Sequence, residues 1–303
     1  MGLNYYQIKK NILRARKLVI KATNSAGSGH PGGSFSMAEI LGCLFYKHLQ
    51  YDPKNPQWDD RDRLILSKGH AAPGLFSNMA VAGYFPESEL ETLRKFGSKL
   101  QGHPDLKCPG VEFCGGSLGT GLSYSVGVAL AAKIDGKNHH VYTIMGDGET
   151  DEGQVWEALN FASYYELDNL IVIADINRLG QSQQTMFEHH MDEYVGRFRA
   201  FGAEVLAIDG HNLTQIDKAL ADATQNKTGK PYVIVAKTFK GRGVSFLEDN
   251  DGWHGKPLKK EDLEKALKEL GEVDEGLRFQ LKKPQTVISR SKATRDPNEI
   301  SRR

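Results

Sequence analysis

Short apolar runs alternate with longer amphipathic stretches along the chain. The apolar runs are RLILS (63–67), VYTIM (141–145), LIVIADI (170–176), EVLAI (204–208) and YVIVAKTF (232–239). Several lack polar alternation, which suits strands covered on both faces. Apolar residues spaced three and four apart predict helices near 5–23, 34–48, 72–83, 87–96, 119–134, 153–166, 190–201, 212–226 and 261–270. The predicted fold class is therefore α/β: a doubly wound parallel sheet with helices on both faces. One domain is expected over residues 1–270. Residues 271–303 turn polar and basic, and predict a C-terminal tail, flexible or docking on a partner.

The N-terminal stretch IKKNILRARKLVIKA places Ile8, Ile12, Ala15, Val19 and Ala22 on one helical face. Its composition is that of a transit peptide, yet it runs directly into a motif-bearing loop. An ordinary surface helix is expected. No signal peptide is visible, and no apolar run approaches the roughly 20 residues that span a bilayer.

Charge adds little. There are 39 basic and 38 acidic residues, so nothing points to nucleic acid or a membrane surface. Cys43, Cys108 and Cys114 form no C-x-x-C pair, which argues against a structural zinc site. Reduced thiols and a cytoplasmic location are expected. The 32 glycines cluster in loops such as SAGSGHPGGS and CGGSLGTG, where turns and close backbone approaches need them.

Candidate chemistry sits where apolar runs end. Gly146-Asp147-Gly148 follows VYTIM, and Asn177 follows LIVIADI, thirty residues after Asp147. If the two strands are neighbours, their tips lie about 4.8 Å apart. A carboxylate and an amide oxygen there suit Mg²⁺ that also takes phosphate oxygens. Gly-Asp-Gly and Asn are also ordinary turn residues, but their shared position at strand ends favours a ligand site. Asp151 and Glu152 read as helix-start acids.

Four histidines stand in similar loops: His30 in GSGHPGG, His70 in SKGHAAP, His103 in QGHPD and His254 in GWHGKP. They predict convergence on one cleft, where imidazoles exchange protons near neutral pH. His139-His140 reads as solvent-exposed, and His189-His190 as a helix start. The glycine loop 114–121 precedes a helical run, so its N–H groups can face an anion. Its order is not that of a dinucleotide fingerprint. Lys237–Gly243 (KTFKGRG) puts cations after the last strand, as a phosphate contact or a solvated turn.

GSGHPGG, LSKGHAAP, QGHPD, GGSLGTG, GDGETDEG, LDNLIVIADINRLGQS, IDGH, AKTFKGRG and WHGKPL together resemble the transketolase family, in family order over roughly residues 5–258. The resemblance implies thiamine diphosphate and Mg²⁺ or Ca²⁺ as cofactors. It implies metal binding by Asp147, Asn177 and the carbonyl of Leu179. His70, Gly116, Ser117, Leu118, Gly148, Asn177, Lys240 and His254 would line the cofactor. His30, His103 and His254 would face the sugar and move protons. The implied activity is ketol transfer between sugar (phosphate) substrates. In relatives a polar residue often stands where this chain has Gly33, so one cofactor contact is in question. Only 45 residues follow residue 258, too few for the pyrimidine-binding domain. The resemblance thus implies the N-terminal subunit of a split enzyme, inactive alone. Its partner would be a C-terminal subunit, with two copies of each. A deoxyxylulose-phosphate synthase-like enzyme and a non-catalytic cofactor-binding subunit remain alternatives.

Overall fold

All five predicted strands form, and they lie in one parallel sheet. They are β1 (Arg63–Leu66), β2 (Val141–Gly146), β3 (Leu170–Ile176), β4 (Glu204–Asp209) and β5 (Tyr232–Lys237), in spatial order β1-β2-β3-β5-β4. The structure is a computed structural model that describes residues 4–273 and Phe279. In β2 and β3 every residue is buried, as expected of strands covered on both sides.

The pleat sorts their side chains onto two faces. Tyr142, Ile144, Ile171, Ile173, Ile234 and Ala236 join one core. That core is shared with α1 (Tyr5–Ala26), α3 (Ala38–Cys43), α4 (Ala72–Val81) and α8 (Leu213–Thr224). Val141, Met145, Val172, Ala174, Val233 and Val235 join the other. It is shared with α5 (Thr120–Ile134), α6 (Gly153–Tyr164) and α7 (Met191–Ala200). The sheet is doubly wound, as the pattern predicted. A third cluster ties Val19, Ile20 and Phe35 to Val244, Leu247, Leu258 and Ala266, the last on α9 (Lys260–Glu269). It fixes the loop after β5 against α1.

Four local expectations need correction. The N-terminal helix α1 is well capped, with an Asn4–Gln7 capping box and Gly27 at φ 58° closing its end. It is more than a surface helix, because Arg14 and Arg16 are buried. Arg14 pairs with Glu87 at 2.5 Å, and Arg16 with Glu39 at 2.8 Å.

The helix expected over 34–48 breaks into α2 (Pro31–Ser36), α3 and a π-helical turn, Leu44–His48. The break falls at Met37 (φ −98°, ψ 12°), where the preceding Ser36 hydroxyl is held on Asp175 at 2.6 Å. The helix expected over 87–96 shrinks to a 3-10 turn, Glu87–Thr92. There the Thr92 hydroxyl folds back onto the Glu89 carbonyl, and Arg94 adopts φ 60°. His139 and His140 are half-buried, not exposed, because the His140 N–H donates to buried Asp62 at 2.8 Å.

His190 does precede α7, and Glu152 precedes α6, as expected. All three cysteines are free. Of the predicted tail, residues 274–278 and 280–303 lie outside the described residues. Phe279 packs against Tyr46 with ring centroids 5.1 Å apart. No helix among the described residues is long and apolar enough to cross a membrane.

Candidate active site

The β2–β3 register, ending with Gly146 opposite Asp175, brings Asp147 and Asn177 to neighbouring strand ends. Both are buried. Asp147 Oδ1 accepts from the Gly148 N–H at 2.9 Å, and Oδ2 from the Arg178 N–H at 2.6 Å. Burial, reinforced by the charge of Asp175, lifts the Asp147 carboxyl to about 6. Among the described residues Asn177 Oδ1 meets only the Leu179 N–H, at 3.3 Å, and keeps acceptor capacity to spare.

Between them Arg178 takes φ 63°, a left-handed backbone that costs a branched-out side chain about 1–3 kcal/mol. Its guanidinium is clamped on Asp249 through two 2.7 Å bonds, which holds the turn. The turn sets Leu179 so that its carbonyl accepts from Lys240 Nζ at 2.7 Å. Asp147, Asn177 and the Leu179 carbonyl are hard oxygen donors of the kind Mg²⁺ and Ca²⁺ take. Among the described residues no group of three or more His, Cys, Asp and Glu side chains is placed to hold a metal ion.

The loop histidines converge. Ring centroids are 5.3 Å apart for His30 and His70, 5.0 Å for His30 and His254, and 5.2 Å for His70 and His254. His103 joins the same wall: a Cβ built at Gly69 would lie 3.2 Å from its ring and 3.1 Å from the Gly116 nitrogen. Burial keeps all four neutral at ordinary pH. His30 and His254 are pushed down to about 4, with nearby cations adding to the effect. His70 and His103 are lowered for the same first reason. Among the described residues His30 Nδ1 is buried without a hydrogen-bond partner. A Cβ built at Gly33 would lie 3.4 Å from His70 Nε2, so a side chain there would crowd this ring.

Lys240 is buried near the start of the loop after β5. Its ammonium donates to the Leu179 and Gly180 carbonyls at 2.7 and 2.9 Å and approaches His254 Nδ1 at 2.9 Å. Burial lowers it to about 8. Ser117 and Leu118 are exposed on the glycine loop that leads into α5, with Gly116 at φ 148° and Gly119 at φ 79°.

Sequence reasoning missed the layer beneath. Lys68 and Asp175 form a fully buried ion pair, and Asp175 also accepts from Ser36 and Thr238 hydroxyls. Burial alone would raise Asp175, but the Lys68 charge and these bonds outweigh it and hold the carboxyl below its usual range. An acid inside the apolar run LIVIADI, and a lysine directly after LILS, were the available signals. Glu149 is also buried.

A parallel α/β domain with polar strand tips, hard oxygen donors, a buried lysine and neutral imidazoles offers groups of the kind that phosphorylated cofactors bind to. A family described as "Transketolase, thiamine diphosphate binding domain" matches residues 8–299, and the chain belongs to that family.

Human transketolase is 46% identical over 264 residues, covering 87% of this chain and 42% of its own length. A Clostridium protein named 6-deoxy-6-sulfo-D-fructose transketolase subunit SqwG is 41% identical over 265 residues, covering 87% of this chain and 95% of its own length. The crystal structure of transketolase from Campylobacter jejuni superposes with a TM-score of 0.82 at 36% identity, covering 92% of this chain and 45% of that one. The chain therefore spans less than half the length of the full transketolases, but nearly all of the named subunit.

Proposed function

We propose that this chain is the cofactor-holding subunit of a thiamine-diphosphate-dependent transketolase, and that it acts with a second chain supplying the pyrimidine-binding half. One observation carries the reading: Asp147, Asn177 and the Leu179 carbonyl lie at adjacent strand ends, and Lys240 links that corner to the His30–His70–His254 triangle. The residues fit the group. Asp147 is a buried carboxyl lifted toward neutrality, which a divalent cation would relieve.

Asp147, Asn177 and the Leu179 carbonyl would hold Mg²⁺ or Ca²⁺. Gly148, His70, Lys240 and the Gly116–Leu118 loop would receive the cofactor. Thiamine diphosphate, when bound, supplies the electron sink that makes breaking a carbon–carbon bond beside a ketose carbonyl feasible. His30, His103 and His254 would hold donor hydroxyls, and one of them would take the proton of the C3 hydroxyl. A neutral imidazole keeps one unprotonated ring nitrogen to accept it; on His254 that nitrogen, Nδ1, faces Lys240, which leaves the proton to His30 or His103.

The donor is read as a ketose with a terminal anion. The near full-length match to a subunit named for a sulfosugar adds a sulfonate to the phosphate as the candidate anion. The test is to purify the chain with whatever accompanies it from its native lysate, then run a donor panel. The expected result is a stoichiometric partner of roughly 300 residues, on ordinary domain sizes, and activity only in the complex. Robust ketol transfer by the pure chain would defeat the split-subunit reading.

A further inference from the structure

Glu149 stands two residues past Asp147 and is 2% exposed. Its carboxylate accepts three hydrogen bonds, each from a different part of the site. Oε1 takes the Ser67 hydroxyl at 2.6 Å and the Gly119 N–H at 2.8 Å. Oε2 takes the Gly146 N–H at 2.9 Å. Ser67 directly follows β1 and leads through Lys68 and Gly69 to His70. Gly119 directly follows Ser117 and Leu118. Gly146 directly precedes Asp147. Burial lifts the Glu149 carboxyl, and the three donors oppose that shift. Charge-assisted bonds of this kind are short and roughly twice as strong as neutral ones.

We propose that Glu149 is a positioning residue: it locks the Gly116–Leu118 loop, the Asp147 strand end and the β1 end to one another, so that the two sides of the diphosphate grip keep a fixed separation. This rests on the thiamine-diphosphate reading above. Glu149 reaches the ligand only through these neighbours.

Glutamine tests the claim atom by atom. In Glu149→Gln the remaining oxygen keeps one end of the clamp, while the new NH₂ faces an N–H at the other, donor against donor. The measurements are the Mg²⁺-dependent dissociation constant for thiamine diphosphate by calorimetry, on the chain with its partner, and amide exchange by mass spectrometry. Expected is a rise of tenfold or more in the dissociation constant. Exchange should accelerate at Gly146–Gly148 or at Gly119–Leu122, whichever end receives the amide. Ser67→Ala, which removes one donor and leaves the carboxylate intact, should stay within about threefold of wild type. Glu149→Asp keeps both oxygens on a shorter stem, and should give an intermediate constant.

An unchanged dissociation constant in Glu149→Gln would overturn the proposal. So would a loss fully accounted for by unfolded protein, measured by thermal melting. If wild type itself does not bind the cofactor, the cofactor reading falls instead. Exchange then decides whether the clamp exists: unchanged rates at both ends would end it too.

Discussion

Lys240 Nζ stands 2.9 Å from Nδ1 of His254, and that contact determines which ring nitrogen carries the proton. An ammonium has only donors, so Nδ1 must accept and Nε2 must hold the hydrogen. His254 therefore offers a donor at Nε2 on its other side. Replacing Lys240 with Met should free Nδ1 and raise the His254 pKa from about 4, because the Lys240 charge is the second cause of its depression. Burial, the first cause, should still hold it below 6.5. Imidazole ¹⁵N shifts followed over pH would show both the tautomer change and the shift. An unaltered tautomer in Lys240→Met would mean the contact does not set it.

Asp147 gives a pH dependence with a definite sign. Metal binding needs the carboxylate, and the group titrates near 6. Affinity for the metal–cofactor pair should fall about tenfold per pH unit below 6, and level off above it. Calorimetry in buffers of different ionisation enthalpy should detect proton release below pH 6. For Asp147→Asn, cofactor affinity should drop by on the order of a hundredfold or more, with metal no longer helping.

How much of this was visible beforehand follows from what each residue's neighbours are in sequence. Strands announced themselves through unbroken apolar runs, and Asp147 and Asn177 through their place at the ends of two of them. The order β1-β2-β3-β5-β4 was not visible, because nothing local tells β5 to insert beside β3. Met37 broke a helix whose periodicity continued across it, since the anchor on Ser36 is Asp175, far along the chain. No pattern along the chain gave Glu149 a role of its own. Its role depends on Ser67 and Gly119, which only tertiary structure brings within reach.

Acid should destabilise the ligand-free chain through its histidines. Folded pKa values of about 4 for His30 and His254 lie below the usual 6.5. Their stabilising contribution is complete above pH 6.5 and is lost as pH falls toward 4. Asp147 and Asp62 work in the opposite sense: burial raises them to about 6 and about 7, and the stability each contributes at low pH is lost as pH rises through those values. Glu112, Glu149 and Asp151 are raised too, but His48, His70, His103, His139, His140 and His189 are lowered like His30 and His254, so the histidines outnumber the carboxyls and stability should rise from pH 4.5 to 6.5. Urea unfolding across that range measures this. His254→Asn should flatten the profile, and an unchanged slope would count against the assignment.

The Lys68–Asp175 pair should show strong non-additivity. Lys68→Met leaves a carboxylate at full burial with only hydroxyl partners, at a cost of roughly 3–5 kcal/mol. Asp175→Ala strands the lysine at similar cost. The double variant removes both charges, and should be less destabilised than the two single losses added together. Denaturant titrations of all four proteins would give the coupling. Strict additivity would mean that the pair does not act as a unit.

Two glycines on α5 should respond to alanine with opposite signs. At Gly121, in the first turn, a Cβ would lie 2.5 Å from Ser67 Oγ and 2.6 Å from Ser67 Cα. The second atom is backbone, so no rotamer change relieves the clash, and the helix must move off the end of β1. That should cost about 1–3 kcal/mol. Because Gly119, two residues earlier, donates to Glu149, the move should loosen cofactor binding as well. At Gly127, six residues on, a Cβ would meet nothing within 4 Å, and the residue is exposed. There alanine simply favours the helix, and should stabilise by about 1 kcal/mol, with cofactor binding unchanged. Melting curves and cofactor titrations of the two variants separate helix propensity from the close approach at Ser67. If both alanines raised the melting temperature, α5 would not need its glycine to sit this near the strand end.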